Sequence, residues 1–271
     1  MNPSAAIKLS SPATREFWEI PVLFEDEHLL ALDKPAGLLI TPDADNPQLP
    51  SLMALLHAGI AETKSWARER GLSYLMNAHR LDGDTSGVIL LAKNKPALLA
   101  LADMFGTNLP LRKFLALIRG EPLENQFEVD AKIGAHPVLP GTMRIDHEEG
   151  KKSKTRFEVL EKFSRSGTML LKCEPLTDRT HQIRIHLRHA GFNVIGDQLY
   201  GGKPLWLSRL KPDYRLKPGK EERPLLARAA LHAESLELTH PITKEAVTIT
   251  AELPKDLKVA LKYLRQFAGN F

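Results

Sequence analysis

The stretch His79-Arg80-Leu81-Asp82-Gly83-Asp84 sets an imidazole, a guanidinium and two carboxylates side by side, just ahead of the apolar run "VILLA". A carboxylate next to arginine, on a loop feeding a core strand, suits nucleophilic attack that needs no metal or cofactor. More cations lie downstream. Arg179, Arg184 and Arg188 fall within "DRTHQIRIHLR", and on a helix Arg184 and Arg188 are one turn apart and share a side. A buried carboxylate stays ionised when a cation accompanies it, and arginine does so with fixed bidentate geometry. The same residues also fit a structural Asp–Arg pair pinning two loops. Residue chemistry leaves both readings open and does not rank Asp82 against Asp84.

Other chemistries find less support. His181, His186 and His189 cluster, with His232 and His240 later, but no H-E-x-x-H motif or cysteine ligand set accompanies them. The sequence has neither the Gly-x-Ser-x-Gly elbow of serine hydrolases nor a glycine-rich nucleotide loop. A single cysteine, Cys173, excludes an internal disulfide and alternates with Leu171 as a core residue would. No metal and no cofactor is therefore expected.

The elements that must position these side chains can be read from periodicity. "PVLFEDEHLLALDKP" reads as two strands around an Asp26-Glu27 turn. "SLMALLHAGIAE" reads as a helix capped by Ser51, and "GVILLAK" as a buried strand. Asn94 caps a second helix with Pro96 in its first turn. "KFLALIRG", "TRFEVLEKF" and "GTMLLKCEPL" are strands; Gln126 to Gly150 is turn-rich and weakly patterned. Ile183 and Leu187 give "THQIRIHLRHAG" a helical spacing ending at Gly191. A hairpin across Pro241 and a terminal helix packing Leu257, Leu261, Leu264 and Ala268 complete the chain. Strands outnumber helices and many are hairpin-connected, which excludes the parallel sheet of a doubly wound nucleotide fold. Residues 1–18 are expected to form a flexible arm, and 19–271 one catalytic domain.

"HRLDGDTSGVILLAK" resembles the signature of the RluA-type pseudouridine synthases, and "RTHQIRIHLRHAGFNVIGDQLYG" resembles that family's second long motif. "DKPAGLL" is similar to its N-terminal element and "ARAALHAESLELTHP" to its C-terminal one. The four occur in the family's order and span Val22 to Ala251, most of the 271 residues. The resemblance implies an α+β pseudouridine synthase fold: a long, mixed, mostly antiparallel sheet with flanking helices and a central RNA-binding cleft. It also implies isomerisation of specific uridines in structured RNA.

Residue by residue, the resemblance makes Asp82 the catalytic aspartate, attacking the uridine or forming a ribose adduct before the uracil rejoins through C5. Asp84 then becomes a turn residue. Arg184 pairs with Asp82 and keeps it ionised, and Arg80 occupies the space left by the flipped base, whose extrusion gives a side chain access to the glycosidic bond. Leu231 is a candidate apolar wall of the pocket. Lys34 and Lys93 contact phosphate or stabilise the site, and His79, Arg179, His181, Gln182 and Arg188 are further RNA-contact candidates. One departure stands out: the family's usual Lys-Tyr is here Lys113-Phe114. Phenylalanine keeps the stacking face and loses the hydroxyl. Either the hydroxyl is dispensable and another group or water handles the proton, or the protein is slow or inactive; the presence of Asp82, Arg80 and Arg184 favours activity.

The expected partner is a structured RNA, a ribosomal or transfer RNA stem-loop, bound by a cytoplasmic monomer with no membrane segment and no S4 domain. The net charge of +4 agrees with a polyanion, though weakly. Its distribution says more: a basic insertion at about 203–228 holds eight Lys or Arg against three acids, with Trp206 and Tyr214 interleaved. A solvated insertion explains that composition equally well. The rival to the enzyme reading is a non-catalytic RNA-binding or RNA-folding protein on the same scaffold.

Overall fold

A computed structural model describes residues 6–43, 45–107, 110–217 and 219–269. In chain order the first elements are β1 (Ala6–Ser11), β2 (Glu16–Glu25), β3 (Leu29–Lys34), α1 (Leu52–Ala61), α2 (Ser65–Glu69), β4 (Met76–Asn77), β5 (Ser86–Ala92) and α3 (Lys95–Gly106). Next come β6 (Leu111–Arg119), β7 (Gln126–Asp130), β8 (Ile133–Ala135), β9 (Met143–Ile145), β10 (Lys154–Phe163) and β11 (Thr168–Pro175). The last are α4 (Gln182–His189), β12 (Asn193–Val194), β13 (Leu231–Thr239), β14 (Ala246–Thr250) and α5 (Lys255–Ala268). This is the expected α+β arrangement, a large, mostly antiparallel sheet flanked by helices.

The chain divides into two units, Met1–Arg112 with Ala233–Glu252, and Lys113–His232 with Leu253–Phe271. In the first, the strands follow the order β1-β2-β3-β5-β13, with β4 on β5 and β14 on β13. β3 and β5 run antiparallel with Lys34 opposite Gly87 and Leu30 opposite Leu91. Every residue of β5 is buried. Ile89 and Leu91 pack with Leu30, Leu32 and α1 residues such as Leu52 and Leu56. Val88, Leu90 and Ala92 pack on the opposite side with Leu29, Ala31 and α3 residues Ala97 and Leu101. A strand covered on both faces has no polar alternation, which is why "VILLA" reads as unbroken apolar sequence. Gly87 opens this strand at φ +112, where a Cβ would lie 2.1 Å from the Ala233 carbonyl oxygen. Any side chain there would push β5 away from its neighbour.

In the second unit β6, β11, β10 and β7 form an antiparallel sheet in that order, with β12 on β6. Phe114 lies opposite Cys173. Cys173 is fully buried, and burial pushes its thiol well above the usual range, so it is a packing residue. α5 buries Leu257, Leu261, Leu264 and Ala268 as its spacing predicts, and Arg265 reaches Glu161 at 2.8 Å.

Two expectations differ from the structure. Of residues 1–18, expected to form a flexible arm, 1–5 lie outside the described residues and 6–18 are not a loose arm: β1 pairs antiparallel with β2, from Ala6 opposite Pro21 to Ser11 opposite Glu16. Ile7 and Leu9 are buried in the core cluster that holds Leu52 and Leu56 of α1; alternation over so short a strand was hidden among polar residues. The weakly patterned middle contains β7 and the hairpin of β8 and β9, pairing Ile133 with Ile145. Strands of three residues are too short to display a period. No helix among the described residues is long and apolar enough to cross a membrane.

Candidate active site

In the first unit, Asp82 is half-buried on the loop between β4 and β5. The loop is tightly held. The Thr85 N–H donates to the Asp82 carbonyl at 3.0 Å, closing a turn, and the Gly37 N–H donates to the Gly83 carbonyl at 2.9 Å. Lys34 adds a third tie: its Nζ donates to the carbonyls of Gly83 (2.9 Å), Leu38 (2.7 Å) and Pro35 (2.8 Å). On the other side, Leu81 packs against the α1-side core. Asp82 thus stands between a residue anchored in the core and one clamped by the "DKPAGLL" segment. A carboxylate so held loses little freedom on engaging a substrate, which is the geometric requirement for a nucleophile. Arg80 and Asp84 are exposed.

These contacts revise several RNA-contact expectations. Lys34 is fully buried and donates its protons to three carbonyls, so of its two expected roles it fills the stabilising one and not the phosphate contact. His79 is also buried, accepting from the Leu90 N–H at 3.1 Å and stacking on Phe105 at 5.0 Å. It is a core residue that braces the loop against β5. Lys93 is turned inward to Glu25 (3.1 Å) and the Asp26 carbonyl (2.7 Å). In each case an amphipathic side chain expected at the surface found its polar partners inside the unit.

In the second unit, α4 carries the other cluster. Its first residue, Gln182, is 4% exposed, not an RNA contact. Its amide nitrogen donates to the Lys154 carbonyl and to Thr155 Oγ1, both at 3.0 Å, and its amide oxygen accepts from the Thr177 hydroxyl at 2.8 Å. Thr155 Oγ1 in turn lies 2.8 Å from His186 Nδ1, while His186 Nε2 is 3.0 Å from the Ala131 carbonyl. The network requires the Nε2–H tautomer, with Nδ1 accepting from Thr155. Burial pulls the His186 imidazole below its ordinary pKa, partly countered by the Ala131 hydrogen bond. The polar residues of "HQIRIH" thus pin α4 to β10.

Arg184 is held differently. Its Nε and Nη2 donate to Asp197 Oδ2 and Oδ1 at 2.7 and 2.6 Å. The side chains are 5% and 2% exposed. The guanidinium also stacks over the Tyr200 ring, 4.9 Å from its centroid. Tyr200 is itself fixed: its hydroxyl is 2.7 Å from His181 Nδ1 and accepts from the Met143 N–H at 2.9 Å. His181 starts the helix at φ 55, the left-handed region, and its ring stands edge-on to Tyr200. Two of the five guanidinium hydrogens serve Asp197. Asp197 and Tyr200 were not picked out as site residues, although both lie inside the quoted motif "RTHQIRIHLRHAGFNVIGDQLYG".

The remaining candidates are placed as follows. Arg188, expected to share a side with Arg184, is exposed where Arg184 is buried. It lines a cavity of about 410 Å³ together with Arg144, His136 and His189. Arg179 is half-buried, donating to the carbonyls of Lys152 (3.2 Å) and Asp178 (2.9 Å). Phe114 and Leu231 are 8% and 3% exposed. Among the described residues, no three His, Cys, Asp or Glu side chains are placed to hold a metal ion.

A family model described as RNA pseudouridylate synthase matches residues 28–189, taking in the Asp82 loop and α4. The chain belongs to the RNA pseudouridine synthase family. It is 38% identical over 247 residues to ribosomal large subunit pseudouridine synthase D of Nitrosomonas europaea, covering 91% of this chain and 65% of that protein. To the D enzyme of Xanthomonas campestris pv. campestris it is 36% identical over 248 residues, 90% and 69% of the two chains. The C enzyme of Escherichia coli K12 is 34% identical over 246 residues, 90% and 70%. The chain thus spans roughly two thirds of these relatives' lengths. In fold it is similar to human RNA pseudouridylate synthase domain containing 4, with TM-score 0.65, 24% identity, and 90% and 92% of the chains covered. The corresponding domain containing 1 protein gives TM-score 0.61 at 24% identity, covering 93% and 97%.

Proposed function

We propose that this pseudouridine synthase family member isomerises uridines of large-subunit ribosomal RNA, with Asp82 as nucleophile. The clamped Asp82 loop carries the reading: Lys34 and Gly37 hold Gly83, and the core holds Leu81, so the family's signature aspartate is presented on a rigid support. The ribosomal substrate rests on the names of the D and C enzymes, whose sequences run along about nine tenths of this chain.

The reaction breaks the N1–C1′ bond and forms a C5–C1′ bond, so the atoms of the uridine are conserved and no oxidant or reductant is required. The Asp82 carboxylate supplies an electron pair at the ribose or the base. Arg184, oriented by Asp197 and Tyr200, is assigned the role of cationic partner to the nucleophile. Phe114 supplies a stacking face for the uracil; the C5 proton leaves to water, since Phe114 has no hydroxyl, and N1, freed from C1′, takes up a proton from water in exchange. Arg80 and Arg188, both exposed, and the half-buried Arg179 are the proposed backbone and strand-opening contacts.

The test is pseudouridine mapping across the transcriptome of cells with and without the gene, complemented by wild type or Asp82→Ala. Sites in large-subunit rRNA should vanish without the gene and return with wild type alone. Restoration by Asp82→Ala would sink the nucleophile assignment, and an unchanged rRNA map with altered tRNA sites would sink the substrate.

A further inference from the structure

The insertion that begins at Lys203 is built into the second unit. The Leu205 N–H donates to the Leu226 carbonyl at 3.0 Å and the Leu225 N–H to the Leu205 carbonyl at 2.7 Å, tying its two ends together. Leu205, Leu210 and Leu226 are buried. A merely solvated insertion would show neither feature. With the end of β6 and the turn between β10 and β11, this segment encloses a cavity of about 740 Å³.

Four cations line that cavity: Arg119, Arg165, Lys203 and Arg209, all exposed. Trp206 contributes a half-buried indole. Glu222 is the lining carboxylate, and its Oε1 accepts from the Ser208 N–H at 2.8 Å, bracing the loop. Arg119 Nη1 donates to the Ser166 carbonyl at 3.1 Å, which joins two of the walls. Positive charge in excess around an aromatic side chain matches a single strand of nucleic acid, with phosphates on the cations and a base on the indole. Arg119 stands five residues along β6 from Phe114, roughly 17 Å at the rise of an antiparallel strand. The cavity is therefore separate from the base-stacking position.

We propose that this cavity is a second RNA-contact site, taking phosphates and one stacked base of a single-stranded stretch flanking the modified nucleotide. The inference rests on the reading of the protein as an RNA-modifying enzyme and adds a place where substrate is held beyond the reacting base.

The probe is a twenty-nucleotide oligouridylate, its binding measured by fluorescence anisotropy across a salt series. Lys203→Ala/Arg209→Ala should bind more weakly, with a log–log salt slope shallower by about 1.4, since each phosphate contact to a single strand contributes about 0.7. Trp206→Leu should weaken binding by roughly 5- to 150-fold at every salt concentration with the slope retained, and Trp206→Phe should restore most of it. Wild-type affinity and slope in both Lys203→Ala/Arg209→Ala and Trp206→Leu would overturn the site. Isomerisation of large-subunit rRNA by the same wild-type preparation is scored separately, so a failure of the activity reading is distinguished from a failure of this one.

Discussion

Replacing Asp197 by Ala removes the carboxylate that holds Arg184. The two side chains are 2% and 5% exposed and meet through hydrogen bonds of 2.6 and 2.7 Å, so water screens the pair little. Removing one partner of such a pair leaves a buried, uncompensated charge, at a cost of about 3–5 kcal/mol. For a unit of this size, about 4 °C per kcal/mol, the melting temperature should fall by roughly 12–20 °C. Circular dichroism melts give that number, and single-turnover isomerisation well below the new midpoint gives the activity of the folded fraction. The double variant Arg184→Leu/Asp197→Leu separates structure from chemistry. Apolar replacement of a whole buried pair is often neutral or stabilising, so its stability should return toward wild type while isomerisation stays lost. Asp197→Ala within about 1 kcal/mol of wild type would refute the energetic argument. A double variant both stable and fully active would reduce Arg184 to a packing residue.

Lys34→Met should strip the carbonyls of Pro35, Leu38 and Gly83 of their donor. After the relief of a buried charge, about 2–3 kcal/mol of stability should go, with faster amide exchange at Thr85; unchanged exchange there would show that the loop does not depend on the clamp. Phe114→Tyr should leave the isomerisation rate within about tenfold, or 1.4 kcal/mol of barrier, if stacking is what this position provides. A far larger gain in single-turnover rate would show that the hydroxyl was limiting. His186, whose imidazole is held below its ordinary 6.5 by burial, binds a proton less readily folded than unfolded. Its contribution to stability is whole above about pH 6.5 and is lost as pH falls through the folded value. Urea titrations should show that decline, and His186→Gln should flatten it.

Much of the scaffold was legible because its rules are local. Ser51 caps α1 by accepting from the Ala54 N–H, and Asn94 caps α3 by accepting from the Ala97 N–H, as their positions ahead of apolar-periodic runs predict. The strands β5, β6, β10 and β11 and the helix α4 fall where composition and period place them. What escaped was short or depended on distant partners. β8 and β9 have three residues each, and β1 gains its buried face from packing with residues such as Leu52 and Leu56 of α1. At the site, the family resemblance carried by the ordered motifs singled out Asp82, Arg80 and Arg184. The destinations of Lys34, His79 and Gln182 did not follow, because a polar side chain is neither inside nor outside until its partners are known.

By itself, then, the sequence determined most of the elements, the family resemblance, and the aspartate and arginines on which chemistry is proposed; period and capping act over a few residues, and motif order is read along the chain without any fold. The tertiary structure decided which polar groups face inward. Lys34 meets the Gly83 carbonyl across 49 residues of chain, and Arg184 meets Asp197 across 13. Such partners are chosen by packing: once desolvated, an ammonium or guanidinium must find acceptors wherever the fold brings them. The aspartate was readable in the motif, but the clamp that holds its loop still existed only in the folded chain.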